Sequence, residues 1–398
     1  MTDQDLIVRV ASRGEGVTAD GIYVPFAAPG DYLLGDGSIA PGPHHQTPPC
    51  RHFPTCGGCQ LQHLDDESYA RFIIDRIAGA LGATGLSTEI RPPSLSPPHS
   101  RRRASFHADR IGRQVVLGFS EAGSHTLIDL ADCTILQPAL FALLQPLRRL
   151  LAGMMPPKRR VEIQLSLIDQ GIDLLITGIA AEGLEAAEAL SGFARTHAIA
   201  RISIDNGLGP ETRWEPEGAT VTLGGVPVGF PPASFLQATQ QGEAALVAAV
   251  REAVGAPATV ADLFTGLGTF ALAMPATTKV YAAEASRDQH FALKAGAALA
   301  QRPVFAEHRD LYRRPLATAE CDRFGAIILD PPRAGAREQA TELAASRVPV
   351  IAYVSCNPSS FARDAKVICD GGYRLDWVQP VGQFRWSTHI ELTARFSR

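Results

Sequence analysis

From about residue 231 onward, apolar runs of strand length recur along the chain: TVADLF, KVYAAE, FGAIILD and PVIAYVS. Each is followed by a helical or loop stretch. Near-continuous apolar runs mark strands buried on both faces, and their alternation with helices predicts a parallel, doubly wound α/β sheet. Between about residues 160 and 230 the order is strand, strand, helix, strand (VEIQLSLID, GIDLLITGI, AAEGLEAAEALSGFAR, AIARISID), then a turn-rich stretch. That is the pattern of an α+β unit. Residues 1–40 read as short strands broken by turn glycines, with Leu6, Val8 and Val10 alternating, as in a small β-barrel or sheet. Residues 41–49 (PGPHHQTPP) form a proline-rich linker, a helical pattern runs from about Asp66 to Leu81, and 91–100 (RPPSLSPPHS) is too rich in proline for regular structure. No internal repeat is visible. The expected division is 1–45, a small β-barrel; 46–230, a central α+β domain; and 231–398, an α/β domain.

Length and composition agree with this division. A chain of 398 residues, 45% hydrophobic and 20% charged, has enough apolar side chains for two or three cores and is not a disordered segment. No run of about 18 apolar residues offers a membrane span. The N-terminus, MTDQDLIVRV, lacks the basic head and apolar run of a signal peptide, so a reducing, cytoplasmic setting is expected. The net charge is −4, which excludes a protein that coats nucleic acid through bulk basicity. Arg91 to Arg113 is the exception, with six arginines against one aspartate, a local phosphate grip.

In a reducing compartment, clustered cysteines are read as metal ligands or catalytic thiols rather than disulfides. Cys50, Cys56 and Cys59 lie within ten residues, with Gly57 and Gly58 between the last two. Glycines let the backbone fold tightly enough for sulfurs to converge. Cys133, in LADCTIL, is the best fourth ligand. Four thiolates suit tetrahedral zinc or an iron–sulfur cluster; three plus one, rather than two pairs, leans toward [4Fe–4S].

The strand-to-helix turn ADLFTGLGTFAL holds Phe264, Gly266 and Gly268, where a cofactor can approach the backbone at the carboxyl edge of the sheet. Glu284 ends the next strand, suited to ribose hydroxyls, and Asp310 ends the following segment, where it could face an adenine edge. The third glycine of the dinucleotide fingerprint is missing, which favours a nucleoside cofactor over NAD. Asp330, at the strand end of FGAIILDPPRAG, is a carboxylate at the ligand-bearing edge. Cys356, in VSCNP, sits at another strand end beside a helix N-terminus, a setting for a thiolate nucleophile.

Together these segments, namely CRHFPTCGGCQLQHL with Cys133, SFLQATQQGE, DLFTGLGTF, LDPPRAG, SCNPSSFARD and HIEL, resemble the S-adenosylmethionine-dependent RNA 5-methyluridine methyltransferases. The resemblance is closest to the iron–sulfur branch that acts on 23S ribosomal RNA. It spans residues 50 to 391. It implies a Rossmann-like class I methyltransferase domain, a central domain carrying the cluster and RNA-binding surface, and a shortened TRAM-like barrel at the N-terminus. It implies a [4Fe–4S] cluster on Cys50, Cys56, Cys59 and Cys133. Gln237, Phe264, Gly266, Gly268, Thr269, Glu284, Asp310 and Asp330 would hold S-adenosylmethionine and the uracil. Cys356 would be the nucleophile and Glu391 the base. Thr269 stands where the family commonly has Asn, and its hydroxyl could replace one amide hydrogen bond. The implied partner is RNA, with a uridine turned out of a loop in 23S rRNA or, as an alternative, in transfer RNA; the chain would act as a monomer, with no membrane or DNA partner. A non-catalytic iron–sulfur RNA-binding protein is the remaining alternative.

Overall fold

The computed structural model describes residues 5–156 and 158–398. The C-terminal domain is built on seven strands: β1 (Thr259–Leu263), β2 (Lys279–Glu284), β3 (Val304–His308), β4 (Ala326–Leu329), β5 (Val350–Ser355), β6 (Arg374–Gly382) and β7 (Glu391–Ser397). Their order across the sheet is β3-β2-β1-β4-β5-β7-β6. The first five are parallel, as the apolar runs predict, and β4 and β5 are almost wholly buried. The expectation of an all-parallel sheet fails at the end of the chain, where β7 inserts antiparallel between β5 and β6. That reversal brings the start of β7 to the edge where β5 ends, the edge that binds ligands in such folds.

Three segments assigned by sequence to the central domain pack instead with this sheet. The helix Asp66–Gly82 buries Tyr69, Phe72, Ile73 and Ile77 in the core shared with Phe361 and Ile368. Within the stretch dismissed as irregular, Ser94–Leu95 pairs in parallel with β6, as does Glu89–Ile90 just before it. The prolines flank Ser94–Leu95 at positions 92, 93, 97 and 98, so it can pair as a short edge segment. The hairpin Thr220–Leu223 with Val226–Gly229 also joins the C-terminal core, through Val228 against Leu293 and its neighbours.

The central sheet has six strands, in the order Pro210–Trp214, Ile199–Asp205, Gly171–Thr177, Val161–Ile168, Arg103–Ile111, Gln114–Gly118. At the N-terminus, Ile7–Val10, Gly16–Thr18 and Tyr23–Val24 form a three-stranded antiparallel sheet. A two-stranded pair, Tyr32–Leu33 with Ile39–Ala40, is joined to it by the Leu6–Tyr32 bridge. Among the described residues no helix is long and apolar enough to cross a membrane.

Candidate active site

Register brings the candidate chemistry together. Ser355 at the end of β5 pairs with Leu392 of the antiparallel β7. The next positions outward on the two strands are Cys356 and Glu391. Both line a cleft of about 820 Å³ at the carboxyl ends of the strands, with Gln237, Phe264, Gly266, Glu284, Asp310 and Asp330. Eight of the ten residues expected to act on cofactor or base therefore share one cavity, of a size suited to a small-molecule ligand.

Gly268 and Thr269 do not line it. Gly268 has a φ of 95°, and a Cβ there would come within 2.5 Å of Leu293 Cδ1. Its glycine is required for the turn to close on the helix Arg287–Leu299. Thr269 lies in the same turn, half-buried.

The acidic groups are held in distinct ways. Glu284 accepts from the Gly266 amide at 2.8 Å and the Ser286 amide at 2.6 Å, clamping the β1 turn to the end of β2. Asp310 accepts from the Tyr312 amide at 3.0 Å. Phe264, at a φ of 64°, sets its ring 5.4 Å from that of Tyr312. Gln237 Oε1 accepts from Gln383 Nε2 at 2.7 Å. Burial, then the charge of Asp330, pushes Glu391 up to about 8, while a hydrogen bond from Gln383 opposes the rise. Burial and then Asp262 push Asp330 up to about 7. Asp262, fully buried, accepts from Thr265 Oγ1 and the Ala271 amide and is also pushed up to about 7 by burial.

Cys356 departs from expectation. The helix Pro358–Asp370 begins beside it, capped by Asn357, yet the thiol is pushed up to about 11, first by burial and then by Glu391 and Asp330. Burial outweighs the helix terminus, so the free thiol is protonated at neutral pH and its proton must leave as the sulfur attacks.

The arginine stretch is divided. Arg101 and Arg103 line the cleft, and burial lowers the proton affinity of both. Arg102 is buried against Glu243 at 2.6 Å, Arg91 pairs with Glu252 at 2.9 Å, and Arg110 donates to the Met155 carbonyl at 2.6 Å, so these three hold the fold together. Sequence reasoning did not single out Arg333, which lines the cleft just after the Asp330-Pro-Pro turn, nor Phe235, half-exposed beneath the Arg103 guanidinium at 5.2 Å. Both lay within quoted motifs. Gln383 carried no signal, since it sits in the loop between β6 and β7.

The four candidate ligands Cys50, Cys56, Cys59 and Cys133 line a second, smaller cavity walled by Phe53, Phe119, Leu130 and Ile135. Burial pushes up the thiols of Cys56, Cys59 and Cys133, Cys59 to about 12. Among the described residues no group of three or more His, Cys, Asp or Glu is gathered tightly enough to hold a single metal ion.

Comparison with known proteins decides the family. Residues 304–398 match the tRNA (Uracil-5-)-methyltransferase family. The chain is 51% identical over 393 residues to a Zymomonas mobilis protein described as an uncharacterized RNA methyltransferase, covering 98% of this chain and 99% of that one. It is 30% identical over 418 residues to a 23S rRNA (uracil(1939)-C(5))-methyltransferase of Chromohalobacter salexigens, covering 97% of this chain and 87% of the relative. The chain belongs to the S-adenosylmethionine-dependent RNA 5-methyluridine methyltransferase family. The fold of the family member from Pyrococcus abyssi, a tRNA (uracil-54, C5)-methyltransferase solved with S-adenosyl-L-homocysteine, is shared. Its TM-score is 0.74 at 22% identity, over 98% of this chain and 99% of that one. The α/β methyltransferase fold is thus shared.

Proposed function

We propose that this enzyme forms 5-methyluridine in 23S ribosomal RNA, with Cys356 as nucleophile and Glu391 as base. The observation that carries this reading is the β5–β7 register, which sets Cys356 and Glu391 side by side at the floor of the cleft. A thiol opposite a carboxylate is what methylation at a carbon requires; methylation at nitrogen needs no covalent thiol. The kinship to the 23S rRNA enzyme favours that substrate over transfer RNA.

Carbon 5 of uracil is a poor nucleophile. The Cys356 thiol gives its proton to water, the sulfur bonds to carbon 6, and the displaced electron pair makes carbon 5 an enolate carbon. S-adenosylmethionine, when bound, supplies an electrophilic methyl group on a sulfonium. Once carbon 5 carries the methyl, Glu391 takes the carbon-5 proton, the electron pair re-forms the C5–C6 double bond, and the Cys356 sulfur departs. For Glu391 to accept that proton it must be ionised, so activity rises as pH passes about 8. Glu284, Asp310, Phe264 and Gly266 hold the methyl donor; Gln237 and Asp330 orient the base. The target must be flipped from its stack to reach this depth, with Arg101, Arg103 and Arg333 meeting phosphate around it.

The second cavity suits a [4Fe–4S] cluster. Four free thiols from two chain segments line one apolar chamber, and three plus one, rather than two pairs, is the spacing that leans toward the cluster over zinc. Cys50, Cys56, Cys59 and Cys133 would hold the cluster, which ties the segments together and needs a reducing, cytoplasmic setting. The N-terminal sheet takes the part of a TRAM-like RNA-binding element, and the chain acts as a monomer.

Cys356→Ala tests the reading. It should abolish methyl transfer to ribosomal RNA while S-adenosylmethionine still binds by calorimetry. Full activity in that variant would sink the mechanism, and loss of 5-methyluridine from transfer RNA alone in a gene deletion would move the substrate.

A further inference from the structure

The cysteine loop and the loop carrying the base are one hydrogen-bonded unit. Gly58 lines both the thiol cavity and the cleft, and Gly57 and Gln60 line the cleft beside it. The amides of Gln60 and Leu61 both donate to the Trp386 carbonyl, each at 2.9 Å. Gln60 Nε2 donates to the Gly57 carbonyl at 2.6 Å, and its Oε1 accepts from the Thr388 amide at 3.4 Å. From the adjoining helix, Tyr69 donates its hydroxyl to the Phe384 carbonyl at 3.1 Å. The segment held in this way ends at Glu391.

That segment needs holding. Trp386 adopts a φ of 58°, in the left-handed region, although it is a bulky residue and 4% exposed. Such a conformation is strained for a residue with a side chain and persists only where surrounding contacts impose it. The contacts on its carbonyl come from the two residues that follow Cys59. The same loop is anchored on its other side by the Gly57 amide donating to Ser120 at 2.9 Å; a Cβ on Gly57 would meet that oxygen at 2.8 Å.

We propose that Gln60 is a positioning residue for the base: with the backbone of the cysteine loop it fixes the strained Phe384–His389 turn, so that the state of the thiol cavity sets the placement of Glu391. This rests on the activity and the cluster assigned above. A cluster held by Cys56 and Cys59 would fix the loop from one side, and Gln60 and Leu61 pass that constraint to Trp386 on the other. Loss of the cluster would release the turn and misplace Glu391 without touching the methyl-donor end of the cleft.

The test compares Gln60→Ala and Cys133→Ser with the parent enzyme, all purified anaerobically. Gln60→Ala should keep the parent's iron and sulfide content, thermal midpoint and affinity for S-adenosylhomocysteine. Amide exchange in 384–391 should quicken, and kcat on RNA should fall about tenfold or more with the KM for S-adenosylmethionine unchanged. Cys133→Ser should lose iron and show the same local quickening. Parental exchange and kcat in Gln60→Ala overturn the positioning role. Iron loss in Cys133→Ser with no change at 384–391 overturns the coupling to the thiol cavity. Absence of iron from the parent overturns the cluster alone, because Gln60→Ala still decides whether the loop positions the base. An inactive parent would overturn the assigned activity instead, and the exchange data would stand apart from it.

Discussion

Glu391→Gln should remove a pH dependence of stability as well as a base. Burial and the Asp330 carboxylate raise the Glu391 carboxyl from its ordinary 4.5 to about 8. Between those two values the unfolded chain has released a proton that the folded enzyme retains. Folding stability therefore falls as pH rises through this window and levels off above about 8. At 1.36 kcal/mol for each tenfold change in proton affinity, the loss from this one group between pH 5 and pH 9 is about 4 kcal/mol. A glutamine at 391 has no proton to lose. Asp330 and Asp262, each raised to about 7, contribute slopes of the same sign to both proteins, so the difference between variant and parent isolates Glu391.

The assay is urea denaturation of both proteins at pH 5, 7 and 9, read as the difference in stability. That difference should shift in favour of the variant by about 4 kcal/mol across the range. Parallel curves would mean that Glu391 is not buried beside Asp330, and the geometry behind its role would fail. The same variant should stall after methyl transfer. Without a base at carbon 5 the Cys356 bond to carbon 6 cannot be eliminated, so an RNA–protein adduct should survive denaturing electrophoresis. Rapid turnover with no adduct would place the base elsewhere.

The arginines should separate by environment. Arg101→Ala and Arg103→Ala should weaken RNA binding and each lower the salt dependence of log affinity by about 1, with little change in thermal midpoint. Arg102→Ala, which removes the buried partner of the partly buried Glu243, should cost about 3 kcal/mol of stability instead. Asp364 is fully buried and accepts from Tyr353 Oη at 2.7 Å and the Ala336 amide at 2.8 Å. Asp364→Ala should lose about 3 kcal/mol in urea denaturation and, by freeing the loop after Asp330, lower kcat. Gly268→Ala should lower the thermal midpoint, because its methyl meets Leu293 at a positive φ. An unshifted midpoint would return Gly268 to the list of cofactor contacts.

Much of the catalytic half is legible because buried parallel strands announce themselves. Runs such as AIILD and VIAYVS are apolar almost throughout; Asp330 ends the first, Cys356 directly follows the second, and the fold delivers both to the cleft. Spacing alone could not reveal the insertion of β7 between β5 and β6, yet that insertion is what sets Glu391 beside Cys356. The pairing of the proline-flanked edge segment Ser94–Leu95, and the packing of the correctly expected helix Asp66–Gly82 on this sheet, were hidden for a related reason. Their partners lie some 290 residues away, Thr88 with Leu375 and Gln379 with Pro92 being 287 positions apart, and local pattern carries no record of such pairing. The helix terminus beside Cys356 was legible in the sequence, but the burial that raises its thiol, with Glu391 and Asp330 adding to it from other strands, was not.

The net charge of −4 also gains a physical reading. Asp262, Asp330 and Glu391 count as three negative charges in the sequence, yet burial raises all three to about 7 or 8. Near neutral pH the cleft floor is therefore far less negative than its composition. Around that floor, Arg101, Arg103 and Arg333 take part in none of the ion pairs found among the described residues, whereas Arg102 does. An anionic strand meets guanidinium groups first and carboxyl groups that keep protons of their own second. Formal charge counts every acid as ionised, so it conceals this arrangement; an enzyme that must seat one flipped uridine needs positive potential only where the strand passes.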